Sequence, residues 1–511
     1  MHDPTFFPGW LRLTHLINIV FISILIRSGV QILSAFPRLY RNDNCNPGNE
    51  WLKLTGQEVP EQSSDEIYSA LDPMSRSRVY TALQEEKDVS PWLAMPGHNS
   101  LGLGRHWHFF GDVFWILNGL AYVVLLFAFG QWSYLVPTSW SILPDAWNDV
   151  VTYLHLRLPA NLPGQPFDAV QKLSYFGVVF LLAPFQILAG LAMSPSIAAR
   201  FPWYIKLFGG RQTARSLHFL AMIGFVLFII VHTVMVIVHG FGKEVALIVW
   251  GHAEHLQAAV AIGIIFYIVI VAVHAAATRV SLDHPRGTQR ALGHVMHAAS
   301  LLLFGRERSK QDYARSAIAR YFWANGHPPR DDVYQAMARN EFSNWRLDVT
   351  GLVQQPLRLS LDDLRAMPKE TQITKHDCIQ GWSDVAEWGG VSLRHIMELC
   401  HPLPQARYVV FHAMDDKTTS EVHAPAGGYF YGTLNLRLAT QYQTILAYEM
   451  NGKPLPVPHG APLRLRVETQ LGFKMVKWLR EIEFIEDYRS VGEGMGGWRE
   501  DHQYYDIEAG I

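Results

Sequence analysis

Cysteine is scarce in this 511-residue sequence: only Cys45, Cys378 and Cys400 occur. Three thiols cannot build a disulfide framework, which excludes a small scaffold held together by bridges. Net charge is nearly absent as well, at −2, so bulk electrostatics give no reason to expect a nucleic acid partner. Met1–Trp10 has no basic stretch leading into an apolar core and no twin-arginine pair, so no cleavable signal is expected there. Charge is also missing from long runs. None lies between Lys172 and Arg200, and none between Arg215 and Lys243. Soluble core helices rarely stay uncharged for so long.

What fills those runs is apolar, and five stretches approach the roughly 20 residues needed to cross a bilayer. They are Leu11–Leu33, Val113–Gly130, Leu173–Met193, Ser216–Val238 and His255–Thr278. The expected fold is multi-domain: an all-α bundle of five transmembrane spans, followed by an α+β domain. A sixth stretch, Ala291–Phe304, is too short to span and carries two histidines. It reads as interfacial or as part of a linker.

The histidines within this half are patterned. Arg12-x-x-His15, Arg105-x-x-His108 and Arg215-x-x-His218 open the first, second and fourth spans. Neutral imidazole is a good iron ligand. An arginine one turn nearer water can pair with a heme propionate while its stem lies on apolar surface. His218 and His232 are 14 residues apart, nearly four helical turns, so both face one way at about 21 Å separation. Because spans alternate in direction, His108 shares the depth of His218, and His15 that of His232. Two bis-histidine sites follow, one near each membrane face. A lone membrane histidine can equally be a packed or water-facing residue, and it is the pairing of four that favours ligation. His239 rivals His232 and His106 rivals His108, although His106 breaks the shared spacing. His255, His274, His294 and His297 have no partner by this logic and read as structural, linker or pocket-lining residues.

This half resembles the diheme cytochrome b subunits of respiratory formate dehydrogenases and nickel-iron hydrogenases. The resemblance rests on Arg12-x-x-His15, on Gly104-Arg105-x-x-His108-Phe109-Phe110-Gly111 and on the His218/His232 spacing, and covers about Gly9 to Gly242. It implies two b hemes and exchange of electrons between an attached enzyme and membrane quinone. The connection from Arg38 to Gly104 is longer than expected, with no role legible in it.

The chain after Arg279 becomes mixed and then globular. Arg346–Val349, Tyr408–His412 and Leu463–Val467 read as strands and Ser392–Leu399 as a helix. Residues 1–280 are thus expected as the membrane cytochrome domain, 281–320 as a linker and 321–511 as the α+β domain. Cys378, before a Gly-Trp turn, is either an inert buried thiol or a ligand for a soft metal. Arg464, Lys474 and Lys477 form either a solvated basic strand or a grip on a phosphorylated cofactor.

The run from Leu446-Ala-Tyr-Glu-Met-Asn451-Gly through His459-Gly-x-Pro-Leu-Arg464 to Gly-x-Lys474-x-Val-Lys477-Trp478 resembles the molybdopterin-binding core of the sulfite oxidase superfamily. Tyr321-Phe-Trp-Ala-Asn325-Gly-His327-Pro-Pro resembles that family's first pterin-contact segment, and Asp415 fits a further contact position. The resemblance implies a molybdenum cofactor held by Asn325, His327, Asp415, His459, Arg464, Lys474 and Lys477. It further implies Cys378 as metal ligand and Tyr504 as a tyrosine near the reacting centre. Ala324 stands where sulfite oxidases carry arginine, and Ile379-Gln-Gly-Trp-Ser383 replaces a cationic run after the ligand. Sulfite, a dianion, would need those cations, so a bacterial sulfoxide-reductase-like activity is the expectation.

The expected partners are membrane lipid, quinone or quinol, and a small oxygen-atom donor or acceptor. A non-catalytic docking domain on a working cytochrome is the alternative. Arg12, Arg157, Lys172 and Lys243 flank one membrane side. Arg38, Arg41, Arg105, Arg200, Lys206, Arg211, Arg215, Arg279, Arg286 and Arg290 flank the other. The excess favours an inner-membrane protein with its C-terminal domain in the cytoplasm; the cytochrome relatives imply the reverse.

Overall fold

In the computed structural model, described for residues 6–60, 80–304, 312–420 and 426–507, five helical segments are long and apolar enough to cross a membrane. They are α1 (Gly9–Ser34), α2 (Leu101–Ala128), α4 (Ala169–Leu191), α5 (Arg211–Val238) and α7 (Leu256–Asp283). The structure starts α2 and α4 earlier than hydropathy does, because the residues added, 101–112 and 169–172, include the charged Arg105, Asp112 and Lys172, which interrupt the apolar run without breaking the helix. Asp168 caps α4 by accepting from the Gln171 N–H in a capping box. Gly177–Leu182 within α4 is π-helical, directly before Pro184. Proline cannot donate to the turn before it, and a widened turn absorbs the missing bond.

Between the spans lie α3 (Ile142–Leu154) and α6 (Phe241–Trp250), and after the last span comes α8 (Pro285–Phe304). The last contains the sixth apolar stretch, and the side chain of His297 falls outside the described residues. α1 and α2 pack closely. A Cβ at Gly104 would meet Gln31 Cγ at 2.4 Å, and one at Gly111 would meet Leu25 Cδ2 at 3.0 Å. Small residues allow such backbone approach between membrane helices.

The C-terminal domain holds two five-stranded sheets. In the first, β3 (Lys369–Asp377), β4 (Ser383–Ser392) and β7 (Ile445–Met450) lie side by side, and β7 also pairs with β8 (Lys453–Pro454) and β9 (Arg464–Arg466). The second runs β2 (Leu357–Ser360), β1 (Arg346–Gly351), β10 (Leu479–Ile485), β5 (Tyr408–Asp416), β6 (Tyr429–Asn435). Only β1 and β10 are parallel within it. The expected strands at 346, 408 and 463 all appear, and the expected helix is Leu393–Cys400.

The described part of the long connection between α1 and α2 packs into this domain and onto the start of α5. Phe36, Tyr40, Cys45 and Tyr80 share one buried cluster with Trp323, Trp382 and Phe411. Arg38, 1% exposed, donates to Glu85 at 2.9 Å and to Glu50 at 2.5 Å. Tyr80 donates to the same Glu85 at 2.8 Å. A buried cation is tolerated only with such a full set of acceptors. The C-terminal domain therefore rests on the end of α1 and the starts of α2, α5 and α8.

Candidate functional site

The helices bring the four histidines together in two pairs. His15 of α1 and His232 of α5 have ring centres 6.3 Å apart at 67°. His108 of α2 and His218 of α5 have ring centres 6.3 Å apart at 65°. A linear bridge with metal–imidazole bonds of about 2.0–2.1 Å, the zinc value, sets two ring centres roughly 6 Å apart. Both pairs fit a shared metal on that measure.

The second pair also has its outer nitrogens engaged. His108 Nδ1 lies 2.9 Å from Ser28 Oγ, whose own hydroxyl donates to Ile24 O at 2.8 Å. His218 Nδ1 donates to Gln186 O at 3.0 Å. Both bonds assign the proton to Nδ1 and turn the Nε2 lone pairs inward; that of His218 accepts from Gln186 Nε2 at 3.0 Å, a bond that a metal would displace. Gly190 makes room, since a Cβ there would stand 3.3 Å from His218 Cε1.

The rival histidines are occupied elsewhere. His106 is bonded to Gly102 O and faces Asp506 at 3.3 Å. His239 is bonded to Met235 O and stands 3.4 Å from the Tyr153 hydroxyl. Nor do the three arginines simply face the pairs. Arg12 donates to Val249 O at 2.6 Å, and Arg105 stacks over Phe109 at 5.2 Å. Arg215 gives two donors to Phe36 O (2.6 Å) and Arg38 O (2.7 Å). The sequence reading passed over Arg27 inside the first span. It donates to His274 Nδ1 (2.7 Å), Thr278 Oγ1 (3.0 Å) and Ala94 O (3.0 Å), tying α1 and α7 to the loop before α2. His274 thus has a partner that spacing alone did not reveal.

The second candidate site is a cleft in the C-terminal domain. Asn325, Asp415, His459, Arg464 and Lys477 line it, as expected positions for cofactor contact. So do His376, Trp382, Lys417, Phe473 and Arg499, which the motif reading did not name. Arg499 had only a weak signal, a charged Trp-Arg-Glu-Asp run near the end of the chain. Four other expected residues stand outside the wall, and one of them, Cys378, lies behind the lining Asn325, whose Nδ2 reaches its Sγ. Lys474 is paired with Glu500 at 2.5 Å, both side chains buried. Tyr504 lies under the Arg286 guanidinium at 5.0 Å, and His327 is half-buried beside the lining Asn325–Gly326 step.

Electrostatics in the cleft call for an anion. Burial and the neighbouring Arg464 hold the Lys477 ammonium well below its usual range, and burial with Arg466 does the same to Arg464. His459 is lowered by burial and by Lys477. A phosphorylated ligand would relieve that mutual repulsion. Asn325 Oδ1, Asp415 Oδ1 and Arg464 Nε are buried with no protein partner, leaving polar valence that a ligand can satisfy.

Cys378 sits on the tight turn from β3 to β4, where its N–H donates to Trp382 O at 2.9 Å and its carbonyl accepts from Gly381 N at 3.1 Å. Asn325 Nδ2 reaches its Sγ at 3.6 Å. Burial pushes the thiol up to about 11, against smaller opposing effects from its turn and from Arg499 and Arg211. An inert thiol would keep that proton; a bound metal would displace it. The site suits the cofactor on donor type, charge and open valence.

Comparison with known proteins agrees with both halves. Residues 7–251 match the prokaryotic cytochrome b561 family, and residues 334–491 match the oxidoreductase molybdopterin binding domain. The chain is a fusion of these two domains. It is 31% identical over 192 residues to the YedZ1 subunit of Azospira oryzae, covering 38% of this chain and 64% of that one. Two proteins named protein-methionine-sulfoxide reductase catalytic subunit MsrP are also similar. The one from Campylobacter jejuni is 34% identical over 28% of this chain and 50% of its own, and the one from Xanthomonas campestris 35% over 31% and 50%. The fusion thus spans about half to two-thirds of the length of each curated relative it matches.

Proposed function

We propose that this chain is a membrane-bound, molybdenum-dependent oxidoreductase that takes electrons from quinol through two b hemes and removes an oxygen atom from a small sulfoxide. The observation that carries the reading is a contact: the turn holding Cys378 is seated on the helix that holds His218. His108 and His218 would hold the heme nearer the C-terminal domain, and His15 and His232 the one near the far face. Asn325, Asp415, His459, Arg464, Lys477 and Arg499 would hold the pterin and its phosphate, and Cys378 the metal. When bound, the molybdenum cofactor supplies two-electron oxygen-atom chemistry. The chain's own residues neutralise the anionic cofactor, orient it and shield it behind Phe322, Trp382 and Phe473.

Overall, a sulfoxide takes two electrons and two protons and leaves as sulfide and water. The names of the relatives support a sulfoxide as substrate. So does the cleft wall, where uncharged Ala324 and Trp382 stand at positions that sulfite chemistry would fill with cations. A docking module without catalysis would have no use for three buried polar atoms left open at the cleft. Metal and heme analysis of the purified chain tests the proposal. About one molybdenum and two b hemes per chain, with dithionite-reduced heme reoxidised by methionine sulfoxide, are the expected results. Heme without molybdenum would leave only the docking module.

A further inference from the structure

The turn Cys378–Ser383 and the first turn of α5 form one interlocked contact. Gln212, fully buried, donates from Nε2 to Gly381 O (2.8 Å) and to Ser383 Oγ (2.9 Å). Arg211 lies 3.3 Å from both Gly381 O and Trp382 O, 3.5 Å from Cys378 O and 3.6 Å from the Asp377 carboxylate. Gly381 has φ +112°, and a Cβ there would stand 3.0 Å from Arg215 Nε. Only glycine lets this backbone lie flat against the guanidinium.

Asp43, from the connection between α1 and α2, closes the joint. Its carboxylate accepts from the Gln212 N–H (2.9 Å) and from Lys375 (3.2 Å), and its carbonyl accepts from Ser383 Oγ (3.1 Å). His218 follows Arg215 by one helical turn, and Cys378 precedes Gly381 by three residues. The two ligand-bearing segments are therefore separated by one guanidinium packed on one peptide.

We propose that this contact is the electron port between the two halves, with Gln212 and Arg211 as its positioning residues. Electrons then pass within a single chain, with no soluble carrier. The inference rests on the function proposed above. Each turnover moves two electrons and two protons from quinol, which becomes quinone, to a sulfoxide, whose S–O bond breaks to give sulfide and water. The port carries the electrons alone, one at a time. Tunnelling falls steeply with separation, so a turn held in contact by Gln212, Arg211 and Asp43 transfers faster than a loosely tethered one. The long connection after α1 gains a role here, since Asp43 fastens the port from the side.

The test uses the full-length holoprotein in detergent, reduced anaerobically and mixed with methionine sulfoxide in a stopped-flow instrument. Heme reoxidation is followed by absorbance. Turnover driven by reduced methyl viologen, which can reach the cleft from solvent, is measured in parallel. Gln212→Asn keeps the backbone bond to Asp43 but cannot reach Gly381, and Arg211→Lys keeps the charge but loses the fork. Because tunnelling falls exponentially with distance, a turn displaced by about an ångström or more should slow heme reoxidation severalfold while viologen-driven turnover is kept. Amide exchange at residues 379–383 should quicken in the same variants. Equal slowing of both reactions would reduce the contact to a structural support, and unchanged heme reoxidation would remove the port. Wild-type heme that sulfoxide cannot reoxidise would instead overturn the functional reading itself.

Discussion

Lys474 separates two accounts of the cleft. By motif it belongs among the pterin contacts, yet its ammonium is 2.5 Å from Glu500 Oε1, with the two side chains only 1% and 2% exposed. Lys474→Met keeps the apolar stem and strands the carboxylate. Removing one partner of a buried ion pair costs about 3–5 kcal/mol. At about 2–4 °C per kcal/mol for a domain of this size, the melting temperature should drop by on the order of 10 °C.

Burial already raises the Glu500 carboxyl above its usual range, against the opposing pull of Lys474. A carboxyl raised in the folded state favours folding at low pH and opposes it as pH rises. The defect should therefore shrink under acidic conditions. The double variant Lys474→Met, Glu500→Gln should recover most of the loss. Melting is best followed on cofactor-free protein, so that lost ligand does not enter the comparison. If the single variant melts normally without cofactor but retains no molybdenum, and Glu500→Gln rescues nothing, Lys474 is a cofactor contact and the ion-pair reasoning is refuted.

Other outcomes follow from the same geometry. Cys378→Ser should abolish molybdenum retention and sulfoxide turnover and leave the b-heme spectrum intact; retained turnover would remove Cys378 from the metal. His218→Leu and His232→Leu should each remove about half of the heme, measured as pyridine hemochrome, and loss of all heme from either would deny two separate sites. Gly190→Val should displace the His218 ring, because a Cβ there already stands 3.3 Å from it. One of the two heme signals should then change in electron paramagnetic resonance while the other persists.

Much of this architecture is legible because it rests on periodicity. Fourteen residues on one helix fix the relative depth and facing of His218 and His232, and alternating spans choose their partners; the structure brings those same four rings together. The molybdopterin motif likewise places Asn325, Asp415, His459, Arg464 and Lys477 around one cleft. What the sequence hid depends on contacts between distant segments. Lys474 and Lys477 are three residues apart, yet only the fold turns one toward Glu500 and the other toward Asn325 O. Arg215 looks like a propionate partner until the chain at Phe36–Arg38 returns to take its donors. The connection after α1 carries no periodic signal, and its described residues form only short strands and one 3-10 turn. It is held by single polar contacts such as Asn44 to Val385 N and Asn46 to Tyr321 N.

The same contacts bear on which side of the membrane the C-terminal domain occupies. Several cations that flank its side are consumed by protein: Arg38 by two glutamates, Arg211 by the Cys378 turn, Arg215 by carbonyls and Arg286 by Glu500 O and Asp501 O. Such groups cannot interact with headgroups in the finished fold. Arg41, Arg200, Lys206, Arg279 and Arg290 remain exposed there. On the far side Lys172 is buried and Arg12 is bonded to Val249 O, which leaves Arg157 and Lys243 exposed. The asymmetry survives this correction, and flanking lysine and arginine set orientation. A green fluorescent protein fused after Ile511 should accordingly fluoresce, and alkaline phosphatase fused at the same point should stay inactive. The opposite pattern would place the molybdopterin domain outside and show that retained exposed charge does not set the topology of this chain.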